Sequence, residues 1–113
     1  SEHAMKIRLL MAAVMGAATL SAQAADAAKG EKLAQAQCVA CHGKDFVTPV
    51  DPTYPKLAGQ YADYLEKALR DYQSGGRKNP IMGGIAKPLS RADIRDLADY
   101  LAGLPGPLDN TKR

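Results

Sequence analysis

The sequence predicts a small all-α fold in which three main helices are separated by two long loops. Apolar residues recur at three- and four-residue steps in three separate segments, which is the period of an amphipathic helix. Two segments rich in proline and glycine lie between them and predict irregular loops. No segment alternates apolar and polar residues as a half-buried strand does. The length of 113 residues allows one domain.

Composition excludes several classes of protein. Hydrophobic residues make up 46% of the chain and charged residues 24%, with a net charge of +3, which excludes a disordered or collagen-like chain. Two cysteines are too few for a disulfide-dense scaffold. The chain has no basic run interleaved with aromatic residues, so nothing indicates a nucleic-acid partner. With no Trp and one Phe, few large side chains are available to build a core.

The amino terminus has the pattern of a secretory signal peptide. Residues 1–4 precede Met5 and are interpreted as a cloning scar. Lys6 and Arg8 are followed by an apolar run over residues 9–20 and by the small-x-small sequence of residues 22–24. A buried helix or a membrane anchor is the alternative, but the run is shorter than the roughly 20 residues that span a bilayer. We therefore expect a cleaved signal peptide over 5–24, export to the periplasm, and a folded domain over 25–113 with no membrane span.

The first helix of this domain begins after Asp26, which can cap its amino end. Gly43 suits its exit. One face of the helix carries small residues at helical spacing, namely Ala27, Gly30, Ala34, Cys38 and Cys41. The segment from Lys44 to Ala58 contains three prolines and predicts the first long loop.

The second helix is predicted from about Gln60 to Ser74 and ends at Gly75-Gly76. Its apolar stripe consists of Tyr61, Tyr64, Leu65, Ala68, Leu69 and Tyr72. Residues 77–89 predict the second loop. The third helix starts at Ser90, with Asp93 completing a variant of the capping box, and stops at Gly103. Its apolar face consists of Ile94, Leu97, Ala98 and Leu101.

The chemistry of the chain lies in the sequence from Cys38 to His42, which is the C-x-x-C-H signature of c-type haem attachment. On a helix, Cys38, Cys41 and His42 project from neighbouring positions. Two thiols on one face can form thioethers to the two vinyl groups of a haem, and the adjacent imidazole can bind the iron. A zinc site, a thioredoxin-like redox pair and a plain disulfide are the alternatives. A zinc site would need a fourth protein ligand, and a thioredoxin-like redox pair would need a βαβ unit around it. A plain disulfide would leave His42 unexplained.

Met82 is the candidate for the second axial ligand of the iron. Four methionines are present, and the other three lie in the predicted leader. A methionine usually fills a gap in a core, but an iron that already holds one histidine needs a sixth ligand. Met82 stands in a segment with Pro80 on one side and Gly83-Gly84 on the other, which we expect to be a loop.

The chain resembles a class I c-type cytochrome of the small monohaem bacterial kind, and also one half of the dihaem members. The resemblance covers essentially the whole of residues 25–113. It rests on five segments, namely Cys38–His42, Pro55–Gln60, Tyr64–Leu65, Asn79–Met82 and Leu97–Leu101. It implies the cytochrome c fold, with three main helices and long loops wrapped around one covalently attached haem c, bound through Cys38 and Cys41 and ligated by His42 and Met82.

The resemblance also implies roles for residues outside the ligand set. Pro55 resembles the proline whose carbonyl accepts a hydrogen bond from the proximal histidine. Leu57 resembles the apolar residue on the proximal face of the haem. Gly30 and Tyr100 resemble the pair at the crossing of the first and last helices. Where relatives often have an aromatic residue four positions before the first cysteine, this chain has Ala34.

These features predict a periplasmic one-electron carrier rather than an enzyme, meeting redox protein partners transiently. Five basic residues of the loops could form a positive rim for such contacts, or simply be solvated, namely Lys44, Lys56, Arg77, Lys78 and Lys87. The alternative is a haem enzyme or gas-binding sensor with an open or displaceable sixth ligand. A detached module of a larger oxidoreductase is a third possibility.

Overall fold

The structure is a computed structural model that describes residues 24–108 of the chain, and that part is helical without strands. The predicted all-α fold class is therefore confirmed. The helices are α1 (Ala27–Gln37), α2 (Val39–His42), α3 (Ala62–Ser74), α4 (Pro80–Ala86) and α5 (Arg91–Ala102). The predicted scar and all of the predicted leader except residue 24 lie outside the described residues. Between residues 24 and 108, no helix combines the length and apolar character needed to cross a bilayer.

The first predicted helix is present but is divided in two at Cys38. The Asp26 carboxylate accepts hydrogen bonds from the backbone N–H groups of Ala28 and Lys29, at 3.0 and 3.2 Å, which caps α1 as expected. Cys38 caps the carboxyl end of α1 and the amino end of α2, so it lies at the break itself, and Cys41 lies within α2. Gly43, with φ of +87°, ends α2 in a conformation that side chains rarely adopt.

The second and third predicted helices correspond to α3 and α5. Helix α3 begins at Ala62, two residues later than expected, and ends at Gly75 in the left-handed conformation. Helix α5 has the predicted capping box between Ser90 and Asp93. All four residues predicted for its apolar face are buried. On α3, however, Tyr64 is 52% exposed, so the predicted apolar stripe is only partly covered.

The segment around Met82 is helical, and the expectation of a loop there was wrong. The Asn79 side chain accepts hydrogen bonds from the backbone N–H groups of Ile81 and Met82, and Pro80 occupies the first turn. Proline is well suited to that position because its φ is preset and its missing donor would have no helical partner. The cap and the proline start a short helix despite the two glycines that follow.

The packing of α1 against α5 depends on Gly30. A Cβ atom at Gly30 would overlap the backbone carbonyl of Asp96 and lie 2.9 Å from Tyr100 Cβ. The two helices also share a hydrogen bond from the Asp26 backbone N–H to Asp96 Oδ1, at 2.7 Å. The Gly30–Tyr100 contact expected from the resemblance is therefore present.

Alanine supplies four of the nine buried hydrophobic side chains of the described residues. Among the described residues, the buried hydrophobic side chains are Ala34, Phe46, Ala58, Leu65, Ala86, Ile94, Leu97, Ala98 and Leu101. Phe46 is fully buried and packs edge-on against Tyr100, with ring centroids 6.2 Å apart. In this chain, therefore, an aromatic ring from the first loop packs against the last helix near the buried Ala34.

Candidate functional site

The two cysteines of the C-x-x-C-H segment are free thiols in a half-buried position at the α1–α2 break. Burial raises the pKa of the Cys38 thiol to about 11, and the neighbouring Cys41 adds to this rise. Cys38 and the adjacent Val39 pack against the core, so the segment is held by its apolar contacts.

His42 is buried, with 6% of its surface exposed, and its ring is held by the backbone of the first loop. Its Nδ1 lies 2.8 Å from the carbonyl oxygen of Pro55. When Nδ1–H donates to this carbonyl, Nε2 is the ring nitrogen whose lone pair is left for a metal. The contact that the resemblance implied for Pro55 is thus present in the geometry. The Tyr54 ring lies nearby, with its centroid 6.3 Å from that of His42.

The first loop positions Pro55 through Phe46, a residue that sequence reasoning missed. Phe46 has φ of 59°, and its carbonyl oxygen accepts hydrogen bonds from the N–H groups of Leu57 and Ala58, at 2.9 and 3.1 Å. These bonds join the two halves of the loop and fix the backbone that carries the Pro55 carbonyl. Phe46 is the only phenylalanine in a chain with few aromatic residues, and this could have indicated that it is a core residue.

An Asx-type turn orders the start of this loop. Asp45 Oδ1 accepts hydrogen bonds from the backbone N–H groups of Val47 and Thr48, both at 2.9 Å. These hydrogen bonds, led by that from Val47, lower the pKa of the Asp45 carboxyl below its usual value. Leu57, at the far end of the loop, is half-buried and packs against the core.

Met82 lies in the first turn of α4, on a different element from the cysteines and His42. Its side chain is half-buried, whereas the preceding Ile81 is 56% exposed. The structure thus joins His42 to Pro55 and packs Cys38 and Leu57 against the same hydrophobic core, with Cys41 next to His42 in α2. It places Met82 on a separate short helix whose amino end is fixed by the Asn79 cap.

The basic residues predicted as a rim are all exposed, namely Lys44, Lys56, Arg77, Lys78 and Lys87. Arg77 stacks over the Tyr72 ring, with its guanidinium carbon 4.8 Å from the ring centroid.

The donor set fits haem c better than the alternatives that the sequence left open. Across residues 24–108, no group of three or more His, Cys, Asp or Glu side chains is arranged to hold a metal ion by itself. Cys38 and Cys41 are not joined in a disulfide, and they lie in helical surroundings rather than in a βαβ unit. Thioether attachment of haem requires two free thiols, and ligation of its iron requires an oriented imidazole; both kinds of group are present next to each other in the chain.

Comparison with known proteins agrees with this assignment. The family model for cytochrome c matches residues 27–105. The thiosulfate dehydrogenase electron acceptor of Thiomonas intermedia is 39% identical over 106 residues, covering 89% of this chain and 48% of that protein. Cytochrome c-554(548) of Halomonas halodenitrificans is 45% identical over 80 residues, covering 68% of this chain and 94% of that protein.

A solved structure shows the same fold. Reduced recombinant cytochrome c4 from Pseudomonas stutzeri superposes with a TM-score of 0.63 at 38% identity, over 75% of this chain and 53% of that one. The chain spans about half the length of several of the relatives that it matches. Cysteines at the attachment spacing within a cytochrome c match identify one covalently bound haem c as the cofactor. On the family match, the shared fold and this attachment site, the chain belongs to the cytochrome c family.

Proposed function

We propose that the chain is a periplasmic one-electron carrier whose haem iron is ligated by His42 and Met82. The observation that carries the proposal is the buried His42 ring, whose Nδ1 lies 2.8 Å from the Pro55 carbonyl. When bound, haem c supplies an iron that takes up and releases one electron. The protein would then hold the side chains of His42 and Met82 in the same positions in the two oxidation states.

The residues around the site divide this task. Cys38 and Cys41 would hold the group covalently, and the Pro55 carbonyl would fix the tautomer and orientation of His42. Leu57, which packs against the core, would give the haem an apolar contact. Met82 would supply a thioether ligand, and ligation by methionine together with histidine raises the reduction potential of a haem iron. The exposed basic residues of the loops offer a positive surface to a redox partner.

The names of the relatives support redox proteins as the partners of this chain. One of them is named as the electron acceptor of a thiosulfate dehydrogenase, and others are named cytochrome c4. We therefore propose that the partners are redox proteins that donate to and accept from the haem of this chain. The export pattern of residues 5–24 supports a periplasmic location for these encounters.

Replacing Met82 with Ala tests the ligand set. The variant should lose its sixth ligand, bind carbon monoxide rapidly when reduced, and show a lower reduction potential, because a thioether favours ferrous iron. The wild-type protein should bind carbon monoxide only slowly and weakly. Ile81→Ala, next to Met82 on the same helix but exposed, is the control and should behave as the wild type.

The opposite result would support the haem enzyme or gas sensor instead. Rapid and tight carbon monoxide binding by the wild-type protein would mean that the sixth position is open or easily vacated. A spectrum and potential that do not change in Met82→Ala would show that Met82 is not a ligand.

A further inference from the structure

Gln73, a side chain of α3, forms hydrogen bonds to the carboxyl end of α4 and to the connection that follows it. Gln73 Nε2 lies 2.8 Å from the carbonyl oxygen of Ala86 and 2.7 Å from that of Leu89. An amide NH2 group carries two hydrogens, so it can donate to both carbonyls at once. Gln73 is half-buried near the end of α3, and its acceptors lie 13 and 16 residues further along the chain.

The two acceptors mark the boundaries of the connection between α4 and α5. Ala86 is the last residue of α4 and is fully buried, and Leu89 directly precedes the N-cap of α5. The last carbonyls of a helix have no partner within the helix. Although the N–H of Leu89 also donates to the Ala86 carbonyl, that bond lies within the connection and does not join it to another helix. Gln73 supplies the bonds that do.

Helix α4 depends on anchors in addition to its own backbone hydrogen bonds. It has seven residues, two of which are glycines directly after Met82. A helix of this length and composition is not stable by itself. Its amino end is held by the Asn79 cap, and its carboxyl end by the bonds from Gln73.

We propose that Gln73 is a positioning residue that keeps Met82 on the iron by clamping the far end of α4. The inference rests on the His/Met ligation proposed above. Without the clamp, α4 can move away from α3 more often, and each such movement gives the Met82 sulfur an opportunity to leave the iron. This role needs no contact of Gln73 with the iron or with Met82, because Gln73 acts through the backbone of α4.

The test compares variants of the haem-loaded protein. Gln73→Leu removes both donors, and Gln73→Glu keeps the shape but sets carboxylate oxygens against two carbonyls. Two hydrogen bonds of ordinary strength would change the population of the detached state by about tenfold to a hundredfold. We therefore expect imidazole binding to the oxidised variants to become faster by about that factor, and the sulfur-to-iron charge-transfer band to weaken. Gln73→Arg retains N–H donors on a longer side chain and should restore slow binding.

Two controls separate positioning from general weakening. Gln35→Glu makes the same change of charge on an exposed side chain of α1 and should bind imidazole at the wild-type rate. Asp26→Ala removes the cap of α1 and lowers global stability away from α4. If Asp26→Ala accelerates imidazole binding as much as Gln73→Leu at matched loss of stability in urea, the positioning role is overturned.

The outcome distinguishes this inference from the ligand assignment. If Met82→Ala changes the spectrum while Gln73→Leu binds imidazole at the wild-type rate, Met82 is the ligand and the clamp is not needed. If Met82→Ala leaves the spectrum unchanged, the ligand assignment fails and the clamp loses its purpose. Faster binding in Gln73→Leu, restored in Gln73→Arg and unseen in both controls, supports the proposal.

Discussion

At the scale of single residues, the site is organised by backbone carbonyls and short polar side chains. The Pro55 carbonyl orients His42, and the Phe46 carbonyl holds the part of the loop that carries Pro55. Asp45 begins the same loop with two hydrogen bonds to the backbone. Because these groups act in series, a change at Asp45 can reach His42 through the loop without any direct contact.

The Asp45 turn gives the loop a dependence on acid. The pKa of Asp45 is lowered in the folded protein from the ordinary value of 3.8, so its contribution to stability is present above about that pH and is lost as pH falls through the lowered pKa. Asn at this position keeps an acceptor for Val47 and Thr48 but does not titrate. We expect the advantage of wild type over Asp45→Asn in urea unfolding to shrink between about pH 5 and pH 2.5.

A difference that stays constant over that range would contradict this account of the turn. The haem-loaded protein is used for both variants.

At the scale of elements, the crossing of α1 and α5 tolerates no side chain at Gly30. We expect Gly30→Ala to lower the free energy of unfolding by about 1–3 kcal/mol, because the added Cβ overlaps the Asp96 carbonyl and the helices must move apart. Urea unfolding of the haem-loaded variant measures this. Gly84→Ala is the matched control, since a Cβ there meets nothing within 4 Å and alanine favours a helix.

The control should therefore be neutral or slightly stabilising. Equal losses in the two variants would show that the effect is general to these glycines and does not come from the helix crossing.

The elements also show which parts of the fold can be predicted from sequence. Helices α1, α3 and α5 carry periodic stripes, and α1 and α5 also have polar caps at Asp26 and Ser90. The stripes agree with the packing except at Ala27 of α1 and Tyr64 of α3, which are exposed. Helix α4 was missed because proline and two glycines outweigh seven residues of weak pattern, although Asn79 before Pro80 is a helix-start signal. The role of Phe46 could not be predicted, since it depends on a left-handed backbone in a loop and on a distant ring.

The residues of the site likewise differ in whether they can be predicted from sequence. The sequence motif predicts Cys38, Cys41 and His42 because their spacing on a helix is itself the chemical requirement. The Gln73 clamp is not predictable in this way, because it joins a side chain to two carbonyls 13 and 16 residues away, and no side-chain pattern marks a carbonyl as an acceptor.

At the scale of the whole molecule, the described core is too thin to account for a stable domain by itself. Four of its nine buried hydrophobic residues are alanines, and only Phe46, Ile94 and Leu97 are large side chains that are fully buried. A small domain with few large apolar side chains generally needs a disulfide, a metal or a cofactor. We expect the covalently bound haem to supply the apolar core that the side chains of this chain lack.

Intact mass under denaturing conditions, combined with a visible spectrum of the same sample, tests the central claim most directly. We predict the mass of the chain from residue 25 plus one haem, and six-coordinate spectra in both the oxidised and the reduced state. The Cys38→Ser, Cys41→Ser double variant should show the bare chain and little helical structure by circular dichroism. A wild-type chain without covalent haem, or a five-coordinate spectrum in either state, would contradict the account.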